Sequence, residues 1–353
     1  MQETPIYRYC GAIHIHTTFS DGTGDLKTIV RAAKKAGLNW IIVTDHNTMD
    51  IEEGIFDGVY VIRAEEISPN SQNHYLALGT NSVIYPSDNP QEYVDKVREQ
   101  GGFGFAAHPD EGFAMDKNGN PVPRKNSHHC IPWTDKNVIP DGVEIWNWFS
   151  NWADNLDDSN LLTLAYAFFF KHKNVKNPSV LTLNWWDKLN NDGEKFVPAL
   201  GGVDAHALLV KDYLIPLYIF PYTVCFKTIN NVINLKEPLS KDFEEGKKQI
   251  LNAVISGNNI IINRHIEKRV PDVYVTNNVS CAFCGENINL DENTKLNIRV
   301  NKKSDLRVLL NGKEIYSSIT KACSLPLAEK GKYRVEFFRK GRGFAYTNPI
   351  VVK

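Results

Sequence analysis

Up to about residue 268, short apolar runs alternate with helical periodicities; beyond about Val270 the helical pattern stops and only strand-length runs remain. This switch constrains the fold more than any other feature, because the two textures demand different layer architectures. Residues 10–15 read as a strand, followed by a loop over 17–24. Leu26 to Ala36 then sets Leu26, Ile29, Val30 and Ala33 on one helical face before Gly37. Residues 40–43 are a continuous apolar run, the pattern of a strand buried on both faces. Further strands are expected at 60–62, 75–78, 103–107, 142–146, 199–204 and 260–263, with helices at 90–100, 161–171 and 242–255. Such alternation predicts a parallel α/β arrangement.

In the C-terminal stretch, Val273-Tyr274-Val275 and residues 295–300, 306–310, 333–338 and 349–352 read as strands separated by turns. Asn311-Gly312 is a hairpin signal, since both residues tolerate positive φ. A small all-β, sandwich-like unit follows from this texture. With 353 residues, 42% of them hydrophobic, the chain can bury two cores. The expected division is 1–268 and 269–353.

Forty Lys and Arg against 41 Asp and Glu give a formal net charge of −1. A grip on long nucleic acid is not expected from that balance, because phosphate contacts dominate such affinity. A small phosphorylated substrate in a local pocket is compatible with it. The run from Tyr213 to Phe226 is broken by Pro216 and Pro221, so no membrane span or membrane partner is expected. The first residues lack the basic and apolar regions of a signal peptide. Six cysteines are scattered, with Cys281-x-x-Cys284 the one close pair and Cys323 following. Free thiols and a cytoplasmic location are the expectation, although a secreted chain trimmed of its signal would read the same.

Chemistry is carried by the ends of the early strands. His14-Ile15-His16 places two imidazoles on one strand face. Asp21-Gly22 follows in the loop, and the second strand ends in Thr44-Asp45-His46. Then come Glu65-Glu66-Ile67-Ser68, His74, Ala107-His108-Pro109 and Asp204-Ala205-His206. Each pair alone is unremarkable as an incidental or surface feature. Jointly, so many imidazoles and carboxylates beside apolar strands incur a large desolvation cost unless a cation offsets it. Imidazole with carboxylate suits zinc, iron or manganese.

This series resembles the polymerase and histidinol phosphatase (PHP) family over roughly residues 9–265. The resemblance implies a distorted (β/α)7 barrel holding two or three divalent ions at its strand ends. It also implies metal-dependent hydrolysis, commonly of phosphoesters, by a metal-bridging hydroxide. Carried over motif by motif, His14, His16, Glu66 and Asp204 would hold the first ion. Glu66, His74 and His108 would hold the second, and Asp21, His46 and His206 a third. Glu65, one residue away, is the competing glutamate. The C-terminal part, notably Tyr333-Arg334-Val335-Glu336 and residues 347–352, resembles a β-domain appended to some PHP hydrolases. Naming in that subgroup includes carbamate hydrolases.

Of the remaining polar residues, Asp45 is expected to support His46 or another ligand, and Glu144 could do the same. Arg124 and Lys125, in the polar insertion 116–136, and Arg264 with His265 are candidates for holding substrate oxygens; solvated surface charge is the competing reading. His128-His129 reads as an exposed loop pair. The aromatic cluster Trp146, Trp148, Phe149, Trp152, Trp185 and Trp186 reads as packing before substrate stacking. The leading expectation is therefore a phosphoesterase acting on a small or nucleotide-like phosphoester. An amide or carbamate hydrolase, and a non-catalytic binding protein on the same scaffold, are the alternatives.

Overall fold

The computed structural model describes residues 6–70, 72–124, 131–156, 161–193, 195–210 and 217–353. Strand β1 (Tyr7–Ile13) leads through helix α1 (Leu26–Ala36) to β2 (Trp40–His46). The Asp25 carboxylate caps α1 by accepting from the Thr28 N–H at 2.8 Å, and Gly37 closes it at φ 71°. Helix α1 buries Ile29, Val30 and Ala33 against Ile41 and Val43 of β2. Trp40 and Ile42 face the opposite way, into a cluster with Ile13, Ile62, Leu76, Phe105 and Leu200. Burial on both faces explains the unbroken apolar run.

A short hairpin strand, β3 (Gly54–Phe56), precedes β4 (Val59–Ile67) and β5 (Tyr75–Leu78). Helix α2 (Pro90–Glu99) leads to β6 (Phe103–Ala106), and the hairpin β7 (Phe113–Met115) and β8 (Pro121–Pro123) precedes β9 (Gly142–Asn147). Helices α3 (Trp148–Asp154), α4 (Leu161–Phe169), α5 (Lys171–Asn174) and α6 (Val180–Asp192) lead to β10 (Ala199–Gly202).

These strands close a hydrogen-bonded ring in the order β1, β2, β4, β5, β6, β9, β10. An Ile15–Ala205 bridge returns it to the continuation of β1, supported by Val203 N–H donating to the Ile13 carbonyl at 3.0 Å. The ring is mixed, which corrects the parallel expectation: β5 runs antiparallel to both β4 and β6. The link 68–74 is too short for a parallel crossover, which needs a dozen or more residues. Helices occupy only three of the links, so the regular (β/α)7 alternation is not what the chain builds.

Beyond β10 lie β11 (Leu208–Val210), β12 (Leu217–Ile219), α7 (Tyr222–Cys225), β13 (Ile229–Leu235), α8 (Phe243–Ile255) and β14 (Asn259–Asn263). Strand β13 pairs antiparallel with the free edge of β1, and β14 with β13. The rest is β15 (Asp272–Thr276), β16 (Cys281–Ala282), β17 (Asn287–Ile288), β18 (Lys295–Leu310), β19 (Lys313–Pro326), β20 (Gly331–Arg339), β21 (Arg342–Thr347) and β22 (Ile350–Val352). The two strands expected at 295–300 and 306–310 are one, β18, whose pairing with β19 is interrupted between Arg299 and Ser304. Asn311 (φ 49°) and Gly312 (φ 77°) form the two-residue turn between β18 and β19.

Val273, Ile298, Val308, Val335 and Phe337 form an all-β core that also takes in Val232, Ile260 and Ile262. Strand β14 pairs with β21, so one sheet runs across position 268. Among the described residues no helix is long and apolar enough to cross a membrane, and Cys10, Cys225, Cys281, Cys284 and Cys323 are free thiols.

Candidate metal centre

The ring brings the histidine-bearing segments to one rim. His14 and His16 follow β1, His46 ends β2, and Glu66 lies near the end of β4. His108 follows β6, and Asp204 and His206 follow β10. His74 precedes β5, and because that strand is reversed, its start rather than its end meets the rim. His14, His108 and Asp204 have φ of 68°, 28° and 49°, the left-handed region that non-glycine residues rarely adopt. Such backbone strain concentrates where a site over-determines its geometry.

The Glu66 carboxylate sits among five imidazoles. Its Oε1 lies 2.9 Å from His74 Nδ1 and 3.3 Å from His108 Nε2. Its Oε2 lies 3.3 Å from His14 Nε2, 3.5 Å from His16 Nε2 and 3.0 Å from His46 Nδ1. Asp204 Oδ1 lies 3.6 Å from His14 Nε2 and 3.4 Å from His16 Nε2. Asp21 Oδ1 collects His206 Nε2 at 3.2 Å, His46 Nε2 at 3.6 Å and His16 Nδ1 at 3.8 Å. The neighbouring glutamate is on the other face of the pleat: Glu65 accepts from the Ile84 N–H at 2.9 Å, and burial pushes its carboxyl up to about 7.

Whether these groups suit a metal is answered by their unused atoms. His14 Nε2, both ring nitrogens of His16 and Glu66 Oε2 are buried without a hydrogen bond. Leaving such groups unpaired is costly; His14 Nε2 and His16 Nε2 face Glu66 Oε2, while His16 Nδ1 faces Asp21. The 3.3–3.6 Å spacings among His14, His16, Glu66 and Asp204 match the ~3.3–3.4 Å edge of a tetrahedron with bonds of about 2.0–2.1 Å. The donor set fits divalent cations. His14, His16, His46 and Glu66 each belong to two groups, so the separation into three distinct ligand sets is less sharp than the sequence motifs imply.

The electrostatics point the same way. Burial opposes the charge on Glu66 and Asp204, yet the surrounding imidazoles hold both carboxyls well below their usual range. Asp21 is held at about 2 despite its burial, chiefly by His206. Burial, then His206, brings His16 down to about 3. His206 rises to about 9 and His108 to about 10, because their carboxylate neighbours outweigh burial. The carboxylates are thus kept ionised and His16 neutral, the forms in which these groups ligate a cation.

Among the supporting groups, Glu144 contacts a candidate ligand: its Oε1 lies 2.8 Å from His14 Nδ1. Asp45 does not support a histidine. It accepts from the Thr17 N–H (2.6 Å), the Thr17 hydroxyl (2.8 Å) and the Ser20 hydroxyl (2.6 Å), tying down the loop that carries Asp21. Its i−1 position beside His46 puts it on the opposite pleat face, out of that ring's reach. Ser68 Oγ, 2.6 Å from His46 Nδ1, takes the role expected of Asp45.

Neither arginine reaches the rim. Arg124 donates to the Phe113 and Asp154 carbonyls and pairs with the Asp154 carboxylate. Arg264 donates to Cys10 Sγ and to the Ala36 carbonyl, where α1 ends and β2 has yet to begin, so it lies towards the amino ends of the strands. His265 stacks on His172 at 3.8 Å. Lys125 and the His128-His129 pair lie outside the described residues. Trp146, Trp148, Trp152 and Trp186 are buried in packing.

Sequence reasoning missed Glu111 and Asn147. Glu111 Oε2 is 3.4 Å from His108 Nδ1, and Asn147 Nδ2 donates to Asp204 Oδ2 at 3.3 Å. Their position one helical turn beyond a ligand, or at a strand end, was the available signal. The cavity over the rim, about 180 Å³, is walled by seven of the candidate ligands with Glu111, Ile131, Phe149 and Leu208. A larger apolar groove of about 750 Å³ lies behind segment 108–110, between Trp133, Leu181, Trp185 and Leu189, and holds none of the nine candidate ligands.

A closed strand ring with imidazoles and carboxylates converging on its rim defines an α/β protein whose rim offers donors suited to metal ions. Residues 12–116 match the family model described as the PHP domain. Over 113 residues the chain is 31% identical to an uncharacterized protein of Methanocaldococcus jannaschii, spanning 28% of this chain and 66% of that relative. Similar solved structures include a two-domain Bacteroides vulgatus protein described as containing a predicted PHP-like metal-dependent phosphoesterase. It shares 13% identity at a TM-score of 0.45, covering 98% of this chain and 95% of that one. Another is PsfC from Pseudomonas syringae, with 11% identity and a TM-score of 0.38, covering 70% of this chain and 89% of that one. The likeness to the PHP domain is thus carried by residues 12–116. The matched stretch includes His14 to His108 of the candidate set, while Asp204 and His206 lie beyond it.

Proposed function

We propose that the protein is a metal-dependent hydrolase, a phosphoesterase acting on a small or nucleotide-like phosphoester. The observation that carries this reading is the Glu66 carboxylate, each oxygen facing its own set of imidazoles. Two or three ions (zinc, manganese or iron) would be held by His14, His16, Glu66 and Asp204, by Glu66, His74 and His108, and by Asp21, His46 and His206. Bound there, they would supply Lewis-acid charge for phosphoryl oxygens and acidify water near neutral pH.

The chain's own residues contribute order and exclusion. Asp45 fixes the Asp21 loop, Ser68 fixes the His46 ring, and Phe149, Ile131 and Leu208 give the mouth an apolar wall. Residues 269–353 are an accessory β-unit on this reading, docked on α6 through Arg334 and Asp187. Turnover of p-nitrophenyl phosphate mono- and diesters with added Mn²⁺ or Zn²⁺, abolished by His16→Ala, is the expected result. No turnover over a broad phosphoester panel in a metal-loaded protein would overturn it.

A second reading, amide or carbamate hydrolysis with the same donor set, is favoured by one observation. Among the described residues no Lys or Arg lines the cavity over the rim, so a phosphate dianion finds no side-chain cation there. Preference for p-nitrophenyl carbamates or acetate over the phosphate esters would select it.

A further inference from the structure

Strand β9 carries two polar side chains, Glu144 within it and Asn147 at its end, that touch all three candidate ligands with left-handed backbone. Glu144 Oε1 accepts from His14 Nδ1 at 2.8 Å, and Glu144 Oε2 accepts from the backbone N–H of His108 at 2.7 Å. Asn147 Nδ2 donates to Glu144 Oε2 at 3.1 Å and to Asp204 Oδ2 at 3.3 Å. Asn147 Oδ1 is used separately, accepting from the Ser150 N–H as the cap of α3. Glu144 and Asn147 are 1% and 5% exposed, so water does not compete for these bonds. Room for the carboxylate comes from β10: a Cβ on Gly202 would fall 1.7 Å from Glu144 Oε1.

We propose that Glu144 and Asn147 form a positioning clamp that presets His14, His108 and Asp204 for metal, with Glu144 fixing the His14 tautomer that leaves Nε2 bare. The inference rests on the metal-centre reading above. A carboxylate at Oε1 can only accept, so Nδ1 of His14 keeps a proton and Nε2, which faces Glu66 and Asp204, is the nitrogen left for a metal. Holding the His108 N–H with the same carboxylate, and Asp204 through Asn147, ties three strained backbone positions to one rigid strand end. Strain of this kind persists only where surrounding bonds over-determine it.

Glu144→Gln is the discriminating change. With its carbonyl at the Oε2 place, glutamine turns an NH2 on His14 and forces the imidazole proton onto Nε2. In the flipped orientation, its NH2 opposes the His108 N–H and the Asn147 NH2. The full chain, stripped and titrated with Zn²⁺ against a chromophoric chelator, should show Kd rising about 10- to 100-fold. Long-range ¹H–¹⁵N spectra of histidine-labelled protein should show His14 protonated at Nδ1 in the wild type and altered in the variant. Asn147→Ser keeps a capping hydroxyl for α3 but drops the Asp204 bond, and should weaken Zn²⁺ about tenfold with wild-type melting of the metal-free protein. This second variant decides the matter if Glu144→Gln does not fold. His14→Ala serves as the control. Lost zinc in His14→Ala with unchanged Kd and tautomer in both clamp variants would overturn the clamp alone. Full zinc retention in His14→Ala would overturn the metal centre and the clamp together.

Discussion

Arg334 ties the C-terminal β-unit to α6, and its removal should cost more than any surface ion pair. The side chain is 3% exposed. Its Nε and Nη2 donate to both oxygens of Asp187, at 2.8 and 2.7 Å, and Nη1 donates to Glu336 at 2.5 Å. The guanidinium also lies over the Trp186 ring, 5.2 Å from its centroid. Burial works against its charge, but Asp187 and Glu336 raise its pKa above the ordinary arginine value. Arg334→Met keeps most of the stem and leaves two carboxylates without their cation. Breaking a fully buried pair costs about 3–5 kcal/mol. Asp187 keeps 16% of its side chain in water and Glu336 8%, so water recovers part of that and the expected loss is about 2–4 kcal/mol. Urea unfolding of the full chain, with Asp187→Asn and the double variant completing a cycle, should give a coupling of about 1.5–2 kcal/mol. Zinc affinity should not move, because no ligand touches this cluster. A loss under about 0.5 kcal/mol, or additivity in the cycle, would refute the claim that this bond docks the β-unit.

Other outcomes follow from the site and its surroundings. Zn²⁺ at about a hundred times its Kd should stabilise the protein by about 2.7 kcal/mol, seen as a raised melting temperature that EDTA reverses; no shift would count against a metal centre. Asp45→Ala removes the acceptor for Thr17 N–H, Thr17 Oγ1 and Ser20 Oγ, and should cost about 2 kcal/mol while releasing the Asp21 loop; an unchanged urea midpoint would contradict this. His172 is brought down to about 4 by burial first, then by His265, Lys171 and Arg342. Its folded pKa is below the ordinary 6.5, so its contribution is intact above pH 6.5 and lost as the pH falls towards 4. Discounted for partial exposure, that is about 1–2 kcal/mol. His172→Gln should flatten the acid limb of a stability–pH curve between those values, and a curve parallel to wild type would refute it.

Local pattern made a good part of the site legible. His14 and His16 share a face because a strand repeats every two residues, and His46, His108 and Asp204 sit where strand patterns end. The same rule separates Glu65 from Glu66, but only once the face of β4 is known. Asp45 illustrates the limit: its residue type and place beside His46 suggested a ligand's partner, whereas the fold gives it the Thr17–Ser20 turn. Arg264 follows the last strand before the C-terminal unit, yet its long side chain runs back to Cys10 and Ala36, away from the rim.

The sequence by itself determined the two textures, the buried β2, the stop of α1 at Gly37, the Asn311-Gly312 turn and the donor types available to a metal. These depend on periodicity, propensity and turn chemistry within a few residues. Only the tertiary structure decided that β5 runs backwards, that the ring closes through Ile15 and Ala205, that Glu66 rather than Glu65 faces the imidazoles, and that Glu144 and Asn147 hydrogen-bond to His14, His108 and Asp204. Strand direction and register arise from which distant edges pair, and side chains 130 residues apart, such as His14 and Glu144, meet only after that pairing is complete.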